Sequence, residues 1–135
     1  MTQSHLAGDP DDSLQVDLPS GLAAAGAARE QTRAALGRWR LPGLLDPVVL
    51  AVSELVANAV KHGRPPVVML LRRTARSVRV EVHDGAPAAD VPPPSSPPAT
   101  AESGRGLVIV DAVSDDAGVE QVPGDGKVAW ASFDA

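Results

Sequence analysis

One stretch of the chain decides the fold: it runs from Asp46 to Gly63 and reads DPVVLAVSELVANAVKHG. Asp46 suits the N-cap of a helix, Pro47 suits the first helical position, and Gly63 suits the position just past the end. Between them, apolar side chains recur at helical spacing and form one stripe, which comprises Val48, Val52, Leu55, Val56, Ala59 and Val60. The stretch therefore predicts an amphipathic helix whose apolar stripe faces the core.

Three polar side chains lie along one side of that helix. Glu54 and Asn58 are four positions apart, and His62 continues the same line one turn further on. In a functional interpretation, Glu54 is a general base and the amide oxygen of Asn58 binds Mg²⁺, which prefers oxygen ligands. In a structural interpretation, the row is a polar face turned to water, with His62 favoured by the helix dipole. The spacing alone leaves both open and favours the second.

The segments around this helix predict further strands and helices. Before it, alternation at 14–18 predicts a strand, and the Ala-rich stretch from Gly21 to Arg40 predicts a helix. After it come two strands of a hairpin, an apolar run that fits helix or strand, and a terminal hairpin, at 67–73, 78–82, 107–113, 119–122 and 127–133. This order predicts an α/β two-layer sandwich, with a mixed sheet and helices on one face.

The chain has the size of a single domain. Its 135 residues are too few for two ordinary domains, and we assign the domain to residues 13–135. The polar stretch 1–12 is predicted to be a mobile tail. The loop at 86–103 is rich in proline, which cannot form regular helix or interior strand, so an extended and mobile loop is expected there.

Composition excludes several classes of function. A formal net charge of −5 disfavours non-specific binding to nucleic acid or to an anionic membrane. The absence of cysteine removes disulfides, thiolate zinc sites and a cysteine nucleophile. With only two Trp, one Phe and no Tyr, few aromatic platforms exist for stacking bases. We find no signal segment or apolar run of about 20 residues, so we expect a cytoplasmic protein without membrane contact.

Two glycine-containing elements follow the central helix. Asp84 and Gly85 end a predicted strand, where such a pair is usually a turn but where the carboxylate could instead accept a hydrogen bond from an exocyclic amine. Gly104-Arg105-Gly106 precedes an apolar run. It is either a flexible hinge or a helix start whose backbone N–H groups and guanidinium bind phosphate. The P-loop pattern is absent, and the dinucleotide-binding pattern is incomplete.

Taken in order, these three elements resemble the motifs of the histidine-kinase-like (GHKL, Bergerat-fold) ATPases. The helix from Glu54 to His62 is similar to the family's N box, Asp84-Gly85 to its first glycine box, and the segment that begins at Gly104 to its second. The resemblance covers 14–133 and is greatest to the anti-sigma-factor serine kinases, a branch of actinobacterial-type stand-alone domains.

The resemblance implies ATP and Mg²⁺ as cofactors and assigns each residue a role. Glu54 would polarise the attacking hydroxyl, and Asn58 would coordinate Mg²⁺ between the ATP phosphates. Asp84 would bind the adenine amine. The remaining ATP-binding residues would line the base pocket, lie near the phosphates or close over them: Gly85, His62, Gly104, Arg105, Gly106 and Leu107.

The function implied is that of a regulator: an anti-sigma factor and protein serine/threonine kinase that phosphorylates an anti-anti-sigma protein. A sigma factor, the antagonist protein and a second copy of the chain would be its partners. The alternative is a nucleotide-binding or degenerate module that sequesters a partner without kinase activity. Two departures from the family's pattern keep this alternative open: a single glycine directly after Asp84, and the Pro-rich loop at 86–103.

Overall fold

The computed structural model describes residues 12–86, 108–122 and 126–135. The elements follow in the order β1 (Ser13–Asp17), α1 (Ala23–Arg38), a 3-10 turn (Pro42–Leu44), α2 (Leu45–His62), β2 (Val68–Arg73), β3 (Ser77–Asp84), a helical segment at 108–113, β4 (Asp116–Val122) and β5 (Gly126–Asp134). This is the predicted order of strands and helices. The apolar run whose periodicity fitted either state is helical over its described part.

The described strands form one sheet in the order β1-β2-β3-β5-β4. The predicted two-layer sandwich with helices on one face is confirmed, with one correction: each neighbouring pair of these five strands is antiparallel, so the sheet is not mixed. The reason is the position of β5. The strands β3 and β4 run in the same direction, but β5 lies between them and opposes both.

The inner face of the sheet carries the core. Along β3, Val78, Val80 and Val82 are fully buried and alternate with half-buried polar residues, as expected for a strand covered on one face. Most of their cross-strand partners are also apolar: Met69 and Leu71 on β2, and Ala129, Ala131 and Phe133 on β5, whereas Val78 lies opposite Arg73 on β2. Helix α1 packs on β1, while α2 packs on β3 and β5. The core is therefore largely aliphatic.

Helix α1 packs against α2 through small side chains. Its buried residues recur at helical spacing: Ala24, Ala28, Thr32, Ala35 and Leu36. The Thr32 hydroxyl, which is fully buried, donates a hydrogen bond to the carbonyl oxygen of Ala28 at 2.7 Å. The alanine-rich sequence thus serves two purposes, since alanine has the best helix propensity and lets a neighbouring helix approach closely.

The start of α2 differs from the prediction. Asp46 is not the N-cap, because the 3-10 turn runs directly into the helix and gives Leu44, the actual N-cap, a helical backbone without a side-chain cap. Asp46 lies instead in the first turn, where a carboxylate is favourable for the helix dipole. The predicted end is confirmed, since Gly63 is the C-cap.

The hydropathy of α2 corrects the expectation that the chain has no apolar run of about 20 residues. With the turn before it, the helix forms a 21-residue stretch, Pro42–His62, of hydropathy 1.6, which is long and apolar enough to cross a membrane by length and composition. In this fold most of the apolar stripe of α2 packs in the core, where Val48, Ala51, Val52 and Val56 are fully buried, whereas Val60, which was predicted to face the core, is exposed. A core helix passes the same test because burial in protein and burial in lipid both select apolar residues.

Candidate functional site

The polar row of α2 lies at the edge of its buried stripe. Glu54, Asn58 and His62 are each half-buried, whereas Leu55 and Ala59 beside them belong to the core. Neither Glu54 nor Asn58 makes a hydrogen bond or ion pair within the part of the chain that the structure describes. The row thus presents a carboxylate and an amide, one turn apart, whose oxygen lone pairs have no protein partner among the described residues.

His62 carries a second unpartnered group. Its Nε2 atom is buried and has no hydrogen-bond partner, which among described side chains is true also of Trp130 Nε1. A buried polar atom without a partner is costly unless a water or ligand satisfies it. The last residue of α2 thus carries a buried imidazole nitrogen without a partner among the described residues, and the next residue, Gly63, lies against Asp84 at the end of β3.

Asp84 is the last residue of β3, and its carboxylate is buried and paired. The ammonium of Lys127 donates to Oδ1 at 2.8 Å and to Oδ2 at 2.6 Å, and the backbone N–H of Ala86 donates to Oδ1 at 2.7 Å. The Asp84 and Lys127 side chains are only 2% and 4% exposed. The register of the sheet explains the pair, since β3 and β5 place Asp84 directly opposite Lys127.

Two glycines allow the backbone to close around Asp84. A Cβ at Gly63 would lie 2.5 Å from Asp84 Cγ, and one at Gly126 would lie 2.7 Å from Gly85 Cα. Gly126 also has a φ of +90°, a conformation that side chains disfavour. Gly85 donates its N–H to the carbonyl oxygen of Arg64 at 2.7 Å. The end of β3 is therefore held from three sides: by the end of α2, by the loop after it and by the start of β5.

Lys127 is the residue that the sequence analysis missed. Along β5, the inward positions are Phe133, Ala131 and Ala129, and a period of two places Lys127 next. A charged residue at an inward strand position needs a buried partner, and the same alternation on β3 reaches Asp84. The alternation of inward residues along the two strands would thus have been enough to predict the pair from the sequence.

A second charged cluster lies on the opposite face of the sheet. Arg79 Nε is 2.8 Å from Glu81 Oε2, and His83 Nε2 is 3.0 Å from Oε1. Burial alone would raise the pKa of Glu81, but the hydrogen bonds and charges of Arg79 and His83 outweigh it, so this pKa lies below its ordinary value. The Arg79 guanidinium also lies 4.3 Å from the ring centroid of Trp130. This face is turned away from α2.

Several predicted residues fall outside the described ranges. They include most of the Pro-rich loop, the tail up to residue 11, and four candidate ATP-binding residues, namely Gly104, Arg105, Gly106 and Leu107. Within the described ranges, the structure brings Gly85 and Asp84 to the end of α2. The helical segment at 108–113 then joins the core through Val110, which is 2% exposed.

The fold and this site define an α/β sandwich with a polar helix row and a buried carboxylate at the end of a central strand. A family comparison identifies the class: the histidine kinase-like ATPase domain matches residues 18–133. The chain therefore belongs to the histidine kinase-like ATPase family, a family of ATP-binding, kinase-like domains. A search among curated proteins found no match.

The donor set on α2 fits Mg²⁺ bound together with phosphates. Among the described residues, no group of three or more His, Asp or Glu side chains could hold a metal ion by itself. Mg²⁺ usually binds through one or two protein oxygens and takes the rest from water and substrate phosphates. The amide oxygen of Asn58 would supply one such ligand. The part of the site expected to bind adenine fits ATP less well, because Lys127 already donates hydrogen bonds to the carboxylate of Asp84.

Proposed function

We propose that this protein binds Mg²⁺-ATP and transfers the γ-phosphoryl group to a serine or threonine hydroxyl of an anti-anti-sigma protein, and so regulates a sigma factor. The observation that carries the proposal is the carboxylate of Glu54 and the amide of Asn58 on α2, which have no partner among the described residues, within a family match over 18–133. Phosphoryl transfer needs positioning and charge neutralisation more than covalent catalysis. Glu54 would position the attacking hydroxyl, and Asn58 would hold the Mg²⁺ that neutralises charge on the phosphates.

In this proposal the residues of α2 divide the work. Glu54 accepts the proton of the attacking hydroxyl, which a carboxylate within hydrogen-bond reach can do. Asn58 binds Mg²⁺ through its amide oxygen, and the metal ion, when bound, neutralises the charge of the phosphates. His62 supplies its buried, unpartnered Nε2 to the phosphate end. Gly104, Arg105, Gly106 and Leu107, which lie outside the described residues, complete the phosphate contacts through backbone N–H groups and the guanidinium.

The alternative function is a nucleotide-binding or partner-sequestering module without kinase activity. The pairing of Asp84 with Lys127 favours it, because a carboxylate that is already neutralised offers less to an adenine amine. Both proposals share the same partners, which are a sigma factor, an anti-anti-sigma protein and a second copy of the chain, and the same cytoplasmic location. The kinase differs from both forms of this module in that it transfers phosphate to a protein acceptor.

One pair of measurements tests the proposal. Calorimetric titration with ATP in the presence and absence of Mg²⁺ measures binding, and single-turnover transfer of the γ-phosphate to purified anti-anti-sigma proteins measures kinase activity. We expect binding that depends on Mg²⁺ and one phosphate transferred per acceptor. Binding without transfer to any acceptor would favour the sequestering module. No binding of ATP would overturn the kinase and the nucleotide-binding module, and would leave only a module that sequesters a partner without nucleotide.

A further inference from the structure

Three of the roughly four lone pairs of the Asp84 carboxylate accept hydrogen bonds from the protein itself. Oδ1 accepts hydrogen bonds from Lys127 Nζ and from the Ala86 N–H, and Oδ2 accepts a second bond from Lys127 Nζ. The backbone of Gly63 lies against Cγ and Oδ2 so closely that not even a Cβ would fit between them. Without a shift of Lys127, little space or hydrogen-bonding capacity remains for a further donor.

We propose that Lys127 is a specificity-determining residue of the nucleotide site: its ammonium occupies the carboxylate that would otherwise bind the exocyclic amine of adenine. This inference rests on the proposed function, because it concerns how the same site selects its base. The lysine ammonium and the adenine amine are both N–H donors, so they compete for the same oxygens.

The lysine ammonium forms stronger hydrogen bonds with Asp84 than the adenine amine would. Its bonds to Asp84 are charge-assisted, and both side chains are almost fully buried, so displacing the ammonium leaves a buried carboxylate with a neutral partner only. A neutral amine makes a weaker hydrogen bond than an ammonium does. Lys127 therefore stays on Asp84, and the native protein binds the triphosphate with little selection for the amine of the base.

The experiment compares two proteins with two nucleotides. Native protein and Lys127→Thr are each titrated with ATP and with purine riboside triphosphate, which lacks the exocyclic amine but is otherwise the same ligand. Threonine is chosen because it is favourable in a strand and carries no ammonium that could donate to the Asp84 carboxylate. Arg72→Thr is the matched control, since it removes the same charge from an exposed position on β2.

We expect the native protein and Arg72→Thr to bind both nucleotides within about 2-fold of each other. Lys127→Thr should prefer ATP by about 10-fold or more, which is the fold-change that a hydrogen bond to a charged group produces. A merely structural role for Lys127 would lower the stability of Lys127→Thr and leave its preference between the two nucleotides unchanged, and that result would overturn the inference.

The native protein alone also decides the question if Lys127→Thr does not fold. A native preference for ATP over the amine-free analogue of about 10-fold or more would mean that Lys127 yields Asp84 to the base, contrary to the inference. If neither nucleotide binds to native protein or to Lys127→Thr, the proposed function itself is wrong. The two failures are therefore distinguishable, since only the second abolishes binding of both ligands.

Discussion

Gly63, the C-cap of α2, lies against the carboxylate of Asp84, the last residue of β3. A Cβ at position 63 would fall 2.5 Å from Asp84 Cγ and 2.5 Å from the carbonyl oxygen of Ala59. The helix that carries Glu54 and Asn58 is thereby held directly against the strand that carries the buried ion pair. The two ends of the candidate site can pack this closely because residue 63 is a glycine and has no Cβ.

Gly63→Ala should therefore destabilise the protein through this contact. The added methyl must displace the Asp84 carboxylate or the last turn of α2, and overpacking of this kind typically costs about 1–3 kcal/mol. Gly37→Ala is the matched control, because Gly37 lies in α1 with nothing near its absent Cβ. The control should be neutral or more stable, by up to about 1 kcal/mol. Urea denaturation measures both, and equal stability of the two variants would contradict the close contact at Gly63.

The pair of Asp84 and Lys127 should behave as one unit in stability. Removing either partner alone, in Asp84→Asn or Lys127→Met, leaves a buried group without its counter-charge and should lower the free energy of unfolding by about 3–5 kcal/mol. The double variant should lose much less than the sum, because it buries no unpaired charge. A double-mutant cycle by denaturant unfolding at neutral pH measures this coupling. Additive losses would show that the two residues contribute independently.

The roles proposed for the α2 row predict different failures for its two oxygen donors. Asn58→Ala removes a ligand of the metal ion and should weaken Mg²⁺-ATP binding. Glu54→Gln keeps the shape of the side chain and removes only the base, so ATP should still bind while single-turnover phosphoryl transfer slows by about 10²–10⁴-fold. The measurements are calorimetric affinity and transfer rate for both variants.

Two exposed residues of α1 provide controls for these substitutions. Gln31→Ala removes an amide, and Glu30→Gln removes a carboxylate, each on a helix away from the row. Both should match the native protein in affinity and in rate. If Glu54→Gln transfers phosphate at the native rate, Glu54 is only a polar helix residue and the catalytic role proposed for it is wrong.

The lowered pKa of Glu81 predicts a pH-dependent contribution to stability. Since Arg79 and His83 hold this pKa below its ordinary value in the folded protein, the ionised carboxylate stabilises the fold above the ordinary pKa, and this stabilisation is lost as the pH falls through the lowered one. Glu81→Gln should thus lower the free energy of unfolding at neutral pH by about 0.2–1 kcal/mol, the usual worth of a partly exposed pair.

The difference between native protein and Glu81→Gln should shrink as the pH is lowered from about 5, where an ordinary glutamate begins to protonate. Thermal unfolding at a series of pH values measures it. Glu120→Gln, at an exposed position on β4, controls for the loss of one carboxylate. A difference that grows on acidification would mean that the folded state raises the pKa of Glu81 rather than lowering it.

Much of the fold could be predicted from local sequence. The order of strands and helices and the end of α2 at Gly63 follow from apolar periodicity and helix-ending residues, which act over a few neighbouring positions. The N-cap at Asp46 was wrong because the preceding 3-10 turn, a feature of the chain path at Pro42–Leu44, already places Leu44 in a helical conformation. The mixed sheet was wrong because strand order is a long-range property, set here by β5 entering between β3 and β4.

By itself, the sequence determined the apolar stripe of α2 and the row of Glu54, Asn58 and His62 beside it, because helical spacing alone puts such residues on adjacent faces. The pairing of Asp84 with Lys127 was decided only by the tertiary structure. Asp84 and Lys127 are 43 positions apart, and the register of β3 against β5 brings them together. Once both side chains are buried, each charge needs the other, because a buried ion without a counter-charge carries a large desolvation cost.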